Sequence, residues 1–242
     1  EAKLDVTTAL SVNDTASTND QVTVSDKNTK ITYAVTVTGQ ESGAAEDFDY
    51  YIPIVHTDST LDTGALVSQK EIGLQLSEAV QITSVGGTAG EELPFEVFYT
   101  TDSGLNSTTI QGNTVKWVDT LTDYSKVTAV KISTRPNARV NEKEAYRFDV
   151  VMQYDNTASD FDRQAGSVAH WRSFGHYTYV RNGASTTNSY PSASNSVKIR
   201  YVKDLTGTPM TMTLDTAAAT NSVDTVQMLG TTFVKDQKLS IK

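Results

Sequence analysis

Along most of the chain, apolar residues alternate with threonine, serine or a charged residue at a period of two. The pattern is clear in Leu4-Asp5-Val6-Thr7, Val22-Thr23-Val24 and Ile31-Thr32-Tyr33-Ala34-Val35-Thr36-Val37. It returns in Val127-Thr128-Ala129-Val130-Lys131-Ile132 and Val197-Lys198-Ile199-Arg200-Tyr201-Val202. Successive side chains of a strand point to opposite faces, so this alternation, with its β-branched and aromatic enrichment, predicts half-buried strands. Turn-forming clusters separate them: Asn13-Asp14-Thr15, Ser25-Asp26-Lys27-Asn28, Ser84-Val85-Gly86-Gly87, Asp102-Ser103-Gly104 and Gln111-Gly112-Asn113. Residues Leu66 to Leu76 fit a short helix, but the alternation of Ile72, Leu74 and Leu76 favours another strand. Many short strands without intervening helices predict an all-β fold, an immunoglobulin-like or prealbumin-like β-sandwich.

The strand-like run ending at Lys203 gives way to Leu205-Thr206-Gly207-Thr208-Pro209, which places a boundary there. Residues 1–203 are expected to form the sandwich. Residues 204–242 are expected to be a C-terminal strand extension or the start of a following domain, being too short to bury a core alone.

Composition narrows the function. The 242 residues are 38% hydrophobic and 20% charged, enough apolar material at strand spacing to fold. The formal net charge of −9 comes with no basic stripe, which argues against nucleic-acid binding and against anionic lipid surfaces. No run approaches the roughly 18 apolar residues of a membrane-spanning helix, and Glu1-Ala2-Lys3-Leu4 does not read as a signal peptide. The chain therefore reads as a monomeric fragment of something longer. The absence of cysteine removes disulfides, thiolate metal sites and cysteine nucleophiles together.

Catalytic patterns are sparse. His56, His170 and His176 stand in no metal-ligand spacing, and no Gly-x-Ser-x-Gly elbow occurs. Glu91-Glu92 and Glu142 with Glu144 are paired carboxylates that spacing alone does not make acid and base. Asp155, Asp160 and Asp162, in the run from Tyr154 to Asp162, supply the oxygen ligands that calcium takes, but they equally suit a polar turn. No other cofactor is suggested. The densest aromatic stretch contains Trp171, Arg172, Tyr177 and Tyr179. Its rings either stack on a sugar or peptide ligand or, by their alternation, fill the sandwich core.

The run Asp123-Tyr124-Ser125-Lys126-Val127-Thr128-Ala129-Val130-Lys131-Ile132, followed by Glu144-Ala145-Tyr146-Arg147-Phe148-Asp149-Val150-Val151-Met152, resembles paired strands of Gram-positive cell-wall adhesins and pilin-like immunoglobulin-fold domains. Ile31 to Thr38 resembles an early strand of the same domains. No Leu-Pro-x-Thr-Gly sorting signal accompanies them. Many domains of that family carry an intramolecular Lys–Asn isopeptide bond, formed beside a buried protonated acid. The resemblance implies Lys3, Asp149 and Asn195 as the lysine, acid and asparagine, in the family's order. An exposed terminal lysine, an outward strand residue and a turn asparagine would read identically.

These observations together lead to the expectation of a secreted, surface-exposed bacterial domain without enzymatic activity, an adhesin or structural stalk that contacts a host or partner protein or glycan. A carbohydrate-binding module of a larger secreted protein is the alternative.

Overall fold

In a computed structural model of the chain, residues 4–17, 21–24, 30–40, 44–54, 74–88, 92–154, 168–171, 173–181, 183–190, 197–201, 210–212, 225–228, 231–234 and 240–241 are described. The chain divides into two compact units, Glu1–Lys203 and Asp204–Lys242. In the first unit the strands are β1 (Leu4–Val12), β2 (Thr15–Ala16), β3 (Gln21–Val24), β4 (Ile31–Gly39), β5 (Glu46–Pro53), β6 (Leu74–Leu76) and β7 (Gln81–Ser84). They continue with β8 (Phe95–Thr100), β9 (Ala129–Thr134), β10 (Ala145–Tyr154), β11 (Val168–Trp171), β12 (Phe174–Arg181), β13 (Ala184–Tyr190) and β14 (Val197–Tyr201). The second unit holds β15 (Met210–Met212) paired with β18 (Ser240–Ile241), and β16 (Thr225–Met228) paired with β17 (Thr231–Val234).

The expected β-sandwich is present as two antiparallel sheets. One runs β2-β1-β4-β10-β6, with β7 also on β10; the other runs β13-β12-β5-β9-β8. A third, smaller sheet, β11-β14-β3, contains a parallel pair between β14 and β3. The only described helical element is one turn of 3-10 helix, Thr109–Gln111.

Alternation decides which residues meet between the two large sheets. Tyr33, Val35 and Val37 of β4, and Tyr146, Phe148, Val150 and Met152 of β10, are buried from the first sheet. Phe48, Tyr50 and Ile52 of β5, Val130 and Ile132 of β9, and Tyr177 and Tyr179 of β12 are buried from the second. Aromatic rings join the layers: Phe48 lies 6.4 Å from Phe148, and Phe95 stands edge-on to both Tyr146 and Phe148, at 5.1 and 5.0 Å. Such edge-to-face pairs add about 0.5–1.5 kcal/mol beyond the area they bury.

Hydroxyls cross the same interface. Ser173, fully buried, lies 2.7 Å from the Tyr33 hydroxyl and 2.5 Å from that of Tyr50. The Tyr99 hydroxyl accepts the Val80 N–H at 2.8 Å, and the Tyr177 hydroxyl accepts the Leu4 N–H at 3.3 Å. Burial pushes the Tyr33 and Tyr99 phenols up to about 12, so both stay neutral and remain able to serve in hydrogen bonds.

Local chemistry sets the turns and the one large irregularity. Asn13 and Asp14 both have positive φ, 48° and 65°, and join Val12 to Thr15 as a two-residue hairpin loop. Between β5 and β12, Asp47 and Phe48 oppose the single residue Tyr177, a bulge in which Asp47 takes φ 47°. Asp47 Oδ2 accepts a hydrogen bond from Thr178 Oγ1 at 3.0 Å and anchors the bulge.

Beside the bulge, β12 approaches β5 so closely that a Cβ on Gly175 would lie 2.4 Å from the Asp49 carbonyl oxygen and 2.9 Å from Tyr50 Cα. Both neighbours are backbone and cannot rotate away. Gly175→Ala is therefore expected to lower unfolding free energy by about 3 kcal/mol, the upper end for overpacking, measured by urea denaturation. A change under about 0.5 kcal/mol would show that the seam is looser than described.

Candidate functional site

The outward face of the second sheet carries two cross-strand rows. Phe174 of β12 pairs with Tyr51 of β5, Tyr51 with Lys131 of β9, and Lys131 with Phe98 of β8. One step along, His176 pairs with Asp49, Asp49 with Ser133, and Ser133 with Glu96. An aromatic row thus runs beside an ionisable row.

The aromatic row is partly roofed by the segment between β8 and β9. Leu105, Ile110, Val115 and Trp117 of that segment pack on Tyr51, Ala129 and Phe174 as a second small core outside the sandwich. Trp117 lies 6.2 Å from the Tyr51 ring, and Phe174 stacks at 5.6 Å on its other neighbour side. The Lys131 ammonium sits 5.1 Å from the Trp117 ring centre and 5.2 Å from that of Phe98. A cation shared between two rings ties the covering segment to β8 and β9. Burial, with a smaller contribution from the Asp49 charge, pushes the Tyr51 phenol up to about 12.

In the ionisable row, Ser133 Oγ donates to Asp49 Oδ1 at 2.5 Å, and His176 Nε2 lies 3.4 Å from Asp49 Oδ2. Glu96 pairs with Arg135 at 3.3 Å. These are the residue types of a hydrolytic triad in the wrong order. Nucleophilic catalysis needs histidine between serine and aspartate, to take the serine proton. Here aspartate stands between serine and histidine, so the serine proton is directed to a carboxylate and the imidazole meets no nucleophile among the described residues. The constellation ties β5, β9 and β12 together.

The residues expected from sequence are distributed differently. Tyr177 and Tyr179 are buried in the core, 0% and 8% exposed, with their rings 6.0 Å apart. Neither offers a face to a ligand, which settles their two readings in favour of core packing. Trp171 lies in β11, opposite Val197 of β14. Arg172, Lys3, Asn195, Asp155, Asp160 and Asp162 lie outside the described residues.

Asp149 requires a correction. It sits in β10 between the buried Phe148 and Val150, and so faces away from the core. Its Oδ1 accepts from Arg147 Nε at 2.7 Å on the same outward face. A solvent-side carboxylate paired with a guanidinium is the opposite of the buried protonated acid that isopeptide formation needs. Of the paired carboxylates, Glu144 is held by Asn141 Nδ2 at 2.6 Å and by the Tyr146 hydroxyl at 2.5 Å, while Glu142 lies 3.9 Å from Lys143. Among the described residues no three His, Asp or Glu side chains gather to hold a metal ion.

No protein-family model and no curated protein matches the sequence. Among solved structures, the chain is similar to AggA, the major subunit of aggregative adherence fimbriae type I from Escherichia coli. That likeness has 8% identity and a TM-score of 0.35, and covers 84% of this chain and 97% of that one. It is also similar to a family 123 glycoside hydrolase from Clostridium perfringens, at 5% identity and a TM-score of 0.29, over 84% of this chain and 28% of that one. At these scores neither likeness carries function across.

Asp49 makes the ionisable row sensitive to acid. Burial is the largest single influence and pushes its carboxyl up. Hydrogen bonds from His176 and Ser133, with the positive charges of His176 and Lys131, outweigh it and leave Asp49 below its ordinary value. A carboxyl lowered by folding stabilises the fold fully above its unfolded value, near pH 4, and that stabilisation is lost as pH falls through the lower folded value. Asp49→Asn should therefore be less stable than wild type at pH 6 and lose less stability between pH 5 and pH 2. Parallel acid limbs for the two proteins, in urea unfolding at stepped pH, would contradict this.

Proposed function

We propose that this chain is an extracellular β-sandwich domain of a bacterial surface protein that holds or binds a macromolecular partner and performs no catalysis. The observation that carries the reading is the outward face of the second sheet. There Phe98, Trp117 and Phe174, all only half-buried, stand beside Lys131 and the Asp49 row. Half-buried aromatics gathered on one face are enriched at contact surfaces. The polar groups beside them are engaged in strand-to-strand contacts and are not poised for proton transfer to a substrate.

An acidic chain without cysteine suits exposure to a variable exterior, because nothing in it depends on a redox state. Its net charge keeps it soluble at high local density on a surface. A wall anchor is not part of the proposal, and neither is the Lys3–Asn195 crosslink, since Asp149 is paired outside the core.

Attachment of beads coated with the full chain to host-cell and matrix-protein surfaces tests the reading. The expected result is saturable attachment, competed by soluble chain and weakened roughly tenfold by Trp117→Ala. Attachment that soluble chain does not compete, or turnover of chromogenic ester, peptide or glycoside substrates, would overturn it.

A further inference from the structure

We propose that the cleft between residues 101–105 and 109–115 is a binding site for a neutral sugar residue of a glycan. The proposal deepens the binding-domain reading above and rests on it.

The cleft has a volume of about 590 Å³ and is lined by Thr101, Asp102, Ser103, Gly104, Leu105, Thr109, Thr114 and Val115. That volume is within the range of small-molecule sites, roughly 300–1,000 Å³. Its apolar part is the half-buried Val115, packed on the small core of Leu105, Tyr51, Ile110 and Ala129, in which Leu105 is buried. Its polar part is hydroxyl-rich. The hydroxyls of Thr101, Ser103 and Thr114 make no hydrogen bond to any described residue. Asp102 Oδ2 accepts the Lys116 N–H at 3.0 Å, which fixes the carboxylate and leaves Oδ1 without a partner among the described residues. Gly104 has φ +70°, and a Cβ built on it would meet nothing within 4 Å, so the chain at this point borders open space.

The walls are held in place before any ligand arrives. Asn106 Oδ1 accepts the N–H groups of Thr108 and Thr109, at 2.9 and 2.8 Å. Thr109 Oγ1 accepts the Asn106 N–H at 2.8 Å, and Gln111 Nε2 donates to the Ser107 carbonyl at 2.7 Å. On the other side, Thr128 Oγ1 donates to the Asp102 carbonyl at 2.6 Å. A loop already ordered by its own hydrogen bonds gives up little conformational entropy on binding.

The chemistry of the lining selects the ligand class. Among the described residues no lysine, arginine or histidine lines the cleft and one carboxylate does, which disfavours phosphate, sulfate and carboxylate ligands. A purely apolar ligand would strip water from three hydroxyls and a carboxylate without replacing their hydrogen bonds. A neutral polyol answers both: its hydroxyls pair with Thr101, Ser103, Thr114 and Asp102, and its C–H groups rest on Val115.

The test is a titration of the isotopically labelled full chain with N-acetylglucosamine, galactose and mannose, followed by backbone amide chemical shifts, with sialic acid as the anionic control. At least one neutral sugar is expected to shift amides of residues 101–115 at millimolar concentration, and sialic acid is not. Ser103→Ala and Thr114→Val, whose wild-type-like spectra certify their folding, should each bind about tenfold more weakly. Shifts by none of the three sugars, shifts centred elsewhere, or unchanged affinity in both variants would overturn the site. If bead attachment succeeds while the sugars fail, the cleft proposal falls and the binding-domain reading stands; failure of both removes both.

Discussion

Tyrosine hydroxyls crossing the sandwich are the interaction on which the rest of the molecule depends. From the second sheet, Tyr50 ends on Ser173, which also meets Tyr33 of the first sheet. Tyr99 ends on the Val80 N–H and Tyr177 on the Leu4 N–H. A chain without cysteine has no disulfide between its layers. Apolar packing holds the layers together but is tolerant of sliding, whereas a buried hydroxyl without its partner costs about 1–3 kcal/mol. Each of these contacts therefore penalises any offset of one sheet against the other. Three such contacts at separated points specify a single alignment.

That alignment determines what faces outward. With Tyr50 and Ile132 turned into the core, Tyr51 and Lys131 must face away from it, and so must Asp49 and Ser133. The paired register across four strands then makes rows of Phe174, Tyr51, Lys131 and Phe98 and of His176, Asp49, Ser133 and Glu96. The segment between β8 and β9 folds back over the first row because Leu105, Ile110 and Trp117 find apolar surface there. Its polar remainder closes the hydroxyl-lined cleft. Surface chemistry here is a consequence of core geometry.

Strand identity was legible wherever one face is buried. The alternation at Ile31–Val37 became β4, the run through Phe148–Met152 that carried the resemblance became β10, and Asn13-Asp14 became a tight hairpin turn. Strand geometry puts Asp149 outward, because Phe148 and Val150 on either side of it point in. The buried-acid role was implied by the resemblance alone, and the burial of its two neighbours is incompatible with it. The strand expected from Val127 is regular from Ala129; Thr128 still bonds Thr100 of β8 and Ile54, whereas the Val127 N–H turns back to the Tyr124 carbonyl. The site itself was not legible. Asp49 and Ser133 are 84 residues apart, and nothing in either segment specifies that β5 and β9 pair in this register. The bulge at Asp47 lacks a glycine that would have announced it, and the destinations of the tyrosine hydroxyls depend on tertiary contacts alone.

Urea unfolding of Tyr99→Phe beside Tyr124→Phe separates the buried hydroxyl bonds from ring packing. Tyr99 and Tyr124 stack edge-to-face at 5.0 Å, but only the Tyr99 hydroxyl caps a buried N–H, that of Val80. Tyr99→Phe is expected to lose about 2 kcal/mol at unchanged denaturant slope, and Tyr124→Phe to change stability by less than about 0.5 kcal/mol. Equal, small losses in both variants would contradict it, and would leave the two sheets aligned by packing alone.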